Sequence, residues 1–82
     1  MNARSQNKIV MQHVLIFKTN IATAQARSKV APLLDQQPFI EKWTVDMEDV
    51  DCVLRVVAAE PVPDRIIALI NASEYECAEL ED

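Results

Sequence analysis

Glycine is absent from all 82 residues of this chain. That omission removes the dinucleotide-binding fingerprint, the P-loop and the nucleophile elbow, because each needs glycine for close backbone approach or a strained turn. It also predicts that Asn or Asp takes any left-handed turn position, since they tolerate positive φ best among the remaining residues. Histidine occurs once, at His13, with no Ser or Cys at a motif spacing, and no acid–base pair or cofactor loop can be read. The expectation is therefore no enzyme and no cofactor. Cations are in the minority, 8 Lys and Arg against 13 Asp and Glu for a net charge of −5. A nucleic-acid backbone and an anionic membrane are poor partners for such a chain. No apolar run approaches the roughly 20 residues that span a bilayer. The polar stretch Met1 to Lys8 is unlike a secretory signal, so a soluble cytoplasmic protein is expected. In that setting the two cysteines, Cys52 and Cys77, are expected to be free thiols in the core.

Half of the residues are apolar, enough for one core. We expect a mobile leader over 1–8 and a single domain over 9–82. Val14 to Phe17 is a continuous run of aliphatic and aromatic residues that suits a central strand, with Leu15, Phe17 and Thr19 on one face and Val14, Ile16 and Lys18 on the other. Ala26, Val30, Leu33 and Leu34 then recur at helical spacing over Thr23 to Leu34. Pro32 interrupts that helix and predicts a kink or a tightened turn from near Lys29. Trp43, Val45 and Met47 alternate with Lys42, Thr44 and Asp46 as in a half-buried strand, and Glu48 to Asp51 reads as a hairpin tip. The returning strand, Cys52 to Ala58, turns Cys52, Leu54, Val56 and Ala58 inward if Arg55 points out. Pro61 to Asp64 opens a second helix that buries Ile66, Leu69 and Ile70, and Tyr75 to Leu80 closes the chain as a strand. The order βαββαβ predicts an α+β, ferredoxin-like two-layer sandwich with an antiparallel sheet in the order 4-1-3-2 and both helices on one face.

This pattern resembles the heavy-metal-associated (HMA) domains of copper and zinc chaperones and metal-pumping ATPases. Aligned without gaps through Val30, Leu34, Pro38, Ile40, Trp43, Val45 and Asp46, Asn20 falls on the glycine of the family's Gly-Met-Thr-Cys-x-x-Cys. Ile21 falls on the methionine, Ala22 on the threonine, and Thr23 and Ala26 on the two cysteines. Tyr75 matches the aromatic that commonly opens the last strand. The resemblance implies a metal-carrier scaffold without its usual site, because a methyl group and a hydroxyl do not replace thiolates around a soft cation.

Other candidate ligands are sparse. Cys52 and Cys77 both turn inward near the end of the sheet that holds this loop, but their strands flank the first strand and stand two strand spacings, about 9.6 Å, apart. That distance is too long for a disulfide and awkward for one ion. Met11 and His13 share a strand face, a pattern that in other settings helps hold Cu(I) or Zn(II). Asp46, Glu48, Asp49 and Asp51 cluster at the hairpin without the glycine and closing glutamate of a calcium loop, and read as a solvated tip. RNA-recognition modules share the topology but need aromatics on the two central strands. Here the outward positions are the aliphatic Val14, Ile16, Val53 and Val57, broken by Lys18 and Arg55. An apolar patch on a sheet face that ought to be wetted marks a contact surface. The first reading is a small interaction module binding itself or a protein partner through that face. The alternatives are a soft-metal carrier using Met11, His13, Cys52 or Cys77, and an ACT-like domain binding a small regulatory ligand.

Overall fold

The computed structural model describes residues 12–80. The expected leader and Met11 lie outside the described residues. The elements are β1 (His13–Thr19), α1 (Ala24–Asp35), β2 (Ile40–Asp46), β3 (Val53–Ala58), α2 (Pro63–Ala72) and β4 (Cys77–Glu79). All three strand pairings are antiparallel, and the order across the sheet is β2-β3-β1-β4. This is the 4-1-3-2 order expected of the ferredoxin-like sandwich. Among the described residues no helix is long and apolar enough to cross a membrane.

Alternation decides which face the helices cover. Phe17 from β1 and Leu54, Val56 and Ala58 from β3 are buried with Ala26, Val30 and Leu34 of α1 and Ile66 and Ile70 of α2 in one cluster. Both helices therefore lie on the same side of the sheet. Burying each large side chain contributes about 1.5–3 kcal/mol, and this shared core is the main term holding the layers together. Leu33 and Leu69, expected in the core, are only half-buried at its margin.

Local chemistry sets the helix ends. Thr23 caps α1, its hydroxyl accepting a hydrogen bond from the Ala26 N–H at 3.0 Å. The α-helix runs through Pro32 to Asp35, and a tighter bond forms only past its end, where the Gln37 N–H donates to Leu34 O at 3.2 Å. The expected tightening from near Lys29 does not occur, since the helix stays α through Asp35. The carbonyl that loses its donor is that of exposed Ser28, which water can satisfy. Pro63 starts α2, where its missing N–H costs nothing.

The left-handed positions correct the expectation drawn from the missing glycine. They fall on Cys52 (φ 45°) and Glu74 (φ 71°), not on Asn or Asp. Glu74 occupies the position after the α2 C-cap where glycine is usual. Its N–H donates to Asn71 O at 2.9 Å, and the N–H of Tyr75 donates to Ile70 O at 3.3 Å, the paired bonds of a Schellman ending. Tyr75 then packs against the core. Cys52 closes the β2–β3 hairpin, its N–H donating to Asp49 O at 2.9 Å. In both cases satisfied backbone groups and packing outweigh a local cost of about 1–2 kcal/mol.

Candidate functional site

Two regions carry the candidate residues: the end of the sheet around the β1–α1 loop, and the sheet face away from the helices. At the loop, Thr19 is buried and makes a three-way tie. Its hydroxyl donates to Cys52 O at 2.6 Å and accepts from the Ile21 N–H at 3.1 Å, while its own N–H donates to Asp51 O at 2.9 Å. Ile21 is buried completely, and the Asn20 side chain accepts from the Glu76 N–H at 2.8 Å. The backbone from 19 to 26 is thus held by its own short polar side chains. Thr23 and Ala26, which match the cysteines of the HMA motif in sequence, are joined by the cap bond, and Ala26 is buried.

Cys52 is buried and Cys77 half-buried, and both are free. β1 separates them: Cys77 stands opposite Thr19, whose hydroxyl reaches the Cys52 carbonyl on the other side. Burial pushes the Cys77 thiol up to about 11, so it is protonated at neutral pH. Cys77 also lines a surface cavity of about 350 Å³ with Lys18, Thr19, Asn71, Glu76 and Ala78. His13 lies at the far end of β1, opposite Ala58. At the hairpin tip, Asp46 and Asp49 are spent on the turn. Their carboxylates accept from the Glu48 N–H at 3.1 Å and the Asp51 N–H at 2.8 Å. Among the described residues no three His, Cys, Asp or Glu side chains gather where they could hold one ion.

The bare face of the sheet is different in character. Cross-strand register places Val14 opposite Val57 and Ile16 opposite Arg55, with Lys42, Thr44 and Asp46 of β2 opposite Val57, Arg55 and Val53. Opposed residues share a face, so these side chains form one surface. Val14 is 57% exposed, and Ile16, Val53 and Val57 are half-buried by their neighbours. Leu80 extends the patch: its N–H donates to Ile16 O at 2.9 Å, and alternation from Ala78, opposite Lys18, puts it on this side. The expected four positions are brought together. Strand parity already turned Lys42 and Thr44 away from the core, whereas the place of Leu80 on this face emerges only from the pairing of β4 with β1.

A bulge at Glu41 shifts the β2 register between Ile40 and Lys42. Glu41 accepts a hydrogen bond from the Gln12 side chain at 2.7 Å. Between β2 and β3 the face dips into a cavity of about 200 Å³ lined by Lys42, Trp43, Thr44, Arg55 and Val57. That is below the roughly 300 Å³ at which small-molecule pockets begin, and suits a single side chain.

The same scaffold occurs in solved structures. The apo form of the HMA domain of the copper chaperone for superoxide dismutase superposes with a TM-score of 0.72 and 17% sequence identity, over 99% of this chain and 79% of that one. The chain has the HMA-domain fold. The N-terminal domain of PacS from Synechocystis PCC6803 superposes with a TM-score of 0.70 and 11% identity, over 84% of this chain and 98% of that one. No protein-family model matches the sequence, and no curated protein matches it. The likeness to HMA domains therefore rests on the path of the chain.

Proposed function

We propose that this protein is a non-catalytic interaction module on an HMA-type scaffold, contacting a second copy or another protein through its bare sheet face. The observation that carries this reading is the aliphatic surface of Val14, Ile16, Val53, Val57 and Leu80, interrupted by Lys18 and Arg55, on the side no helix covers. A face of this kind is normally polar, and contiguous apolar area on it is the usual mark of a contact. Two free cysteines fit a cytoplasmic setting.

The donor set argues against carriage of a soft cation, although one solved relative in fold is named as a copper chaperone domain. Thr23 and Ala26 offer a hydroxyl already engaged as a helix cap and a methyl group. Cys52 lies in the hairpin just before β3 and Cys77 on β4, with β1 between them. Zinc and Cu(I) need thiolates converging at roughly 2.3 Å, which this arrangement does not supply. Sedimentation of the full chain across concentration, with Ile16→Lys and Val53→Lys beside it, tests the contact. Loss of self-association or of partner binding in both variants is expected, and unchanged behaviour in both defeats the reading. A competition titration with Cu(I) and Zn(II) under reducing conditions tests the metal reading. Stoichiometric submicromolar binding that disappears in Cys52→Ser or Cys77→Ser reverses the ranking.

A further inference from the structure

We propose that a second copy of this chain docks on the open edge of β2, antiparallel about a twofold axis at Thr44, so that two four-stranded sheets run on as one. This contact uses the edge of the sheet and goes beyond the reading of its bare face. β2 is an outer strand, paired on one side only, with β3. Which of its backbone groups point outward follows from the ladder. The Leu80 N–H donates to Ile16 O, which turns the backbone groups of Ile16 toward β4 and, by alternation, those of Leu15 and Phe17 toward β3. Carried through the register, the same alternation turns those of Val53, Arg55 and Val57 toward β2, where they meet Asp46, Thr44 and Lys42. The N–H and C=O groups of Trp43 and Val45 are left on the outer side. A cavity of about 380 Å³ opens between α1 and this strand, so the helix does not roof the edge.

Charge selects the register and the occupant. Within its own sheet Lys42 faces Val57 and Asp46 faces Val53, so neither has a charged neighbour across β3. With the axis at Thr44, Trp43 exchanges both backbone bonds with the partner's Val45, and Lys42 stands opposite the partner's Asp46 at each end. Thr44 meets its own copy, and the ring of Trp43 lies beside a β-branched side chain, both favourable cross-strand pairs. An axis at Lys42 or Asp46 sets like charges face to face. One at Trp43 places Thr44 opposite Lys42 and Ile40 opposite Asp46, and one at Val45 sends Lys42 beyond the end of the strand to Glu48 in the turn. The bulge at Glu41 ends the straight part of β2 just before Lys42, and Thr44 is the midpoint of what remains. A lysine and a bulge usually guard an edge against foreign strands. Any other strand must answer Lys42 and Asp46 with opposite charges at the same spacing, which a second copy does by symmetry.

Sedimentation of the full chain across concentration, with amide exchange beside it, tests the pairing. A dimer is expected in which the Trp43 and Val45 amides become protected as it forms. Lys42→Asp and Asp46→Lys, both at exposed positions, should each raise the dissociation constant roughly tenfold by setting like charges across the axis. An equimolar mixture of the two variants should associate as well as the native chain, because each supplies the charge the other lacks, and a folding defect in either would prevent that rescue. Thr44→Cys should crosslink to its own copy under mild oxidation faster than Lys42→Cys, since only position 44 opposes itself, in a non-hydrogen-bonded pair with Cα atoms about 4.5 Å apart. Ile16→Lys, on the bare face, should leave this dimer intact. A monomer at every concentration, or a dimer that neither charge variant weakens, overturns the inference. Self-association broken by Ile16→Lys alone also overturns it, and leaves the contact on the bare face standing.

Discussion

On the two central strands, Phe17, Leu54 and Val56 face the helices with no solvent exposure, while Val14, Ile16, Val53 and Val57 face away and keep part of theirs. The residue types are nearly the same on both sides. Strand propensity alone accounts for β-branched residues on either face, but only one face has α1 and α2 laid over it. What separates the two faces is the cover, so stability and contact should respond to different substitutions.

The largest effect is expected on the covered side. Phe17→Ala removes a fully buried ring from the centre of the core and should cost about 3–5 kcal/mol in chemical denaturation. For a chain this short that is a large part of its stability. A smaller effect of opposite sign comes from the helix that roofs this core. Glu74→Gly relieves the left-handed residue at the end of α2 and should stabilise by about 1 kcal/mol, read as a higher denaturation midpoint with unchanged slope. On the bare side, Val14→Ser should shift stability by no more than about 0.5 kcal/mol. A loss as large as that of Phe17→Ala would mean that both faces are core and would break the comparison.

The weakest expected signal separates the faces by pH. Cys77, on the covered side of β4, ionises near its ordinary 9.0 when unfolded and near 11 when folded. Between those values the unfolded state holds fewer protons, so stability should be level below pH 9.0 and fall as pH rises toward 11. Cys77→Ala should remove that part of the fall. Denaturation of both proteins across this range measures it.

Element order, sheet order and inward parity were legible in the sequence because the apolar spacing changes period cleanly, from two in β1 to nearly four in α1. The left-handed turns were not. Intrinsic preference points to Asn or Asp, but hairpin closure selects Cys52 and the α2 ending selects Glu74, both through hydrogen bonds to residues whose placement emerges only on folding. Likewise, the valines of the bare face could be read from strand parity. The bulge at Glu41 and its bond from the Gln12 side chain could not, because both emerge only from the pairing of the strands. The tightening predicted near Lys29 failed for a related reason: Pro32 deprives only a carbonyl that solvent reaches.

The tie at Thr19 has a mechanical result. One buried hydroxyl and one amide anchor the hairpin to the end of β1, and the same hydroxyl holds the start of the following loop. The hairpin and the loop leading into α1 are therefore joined through one buried side chain, so Thr19→Val would release both at once.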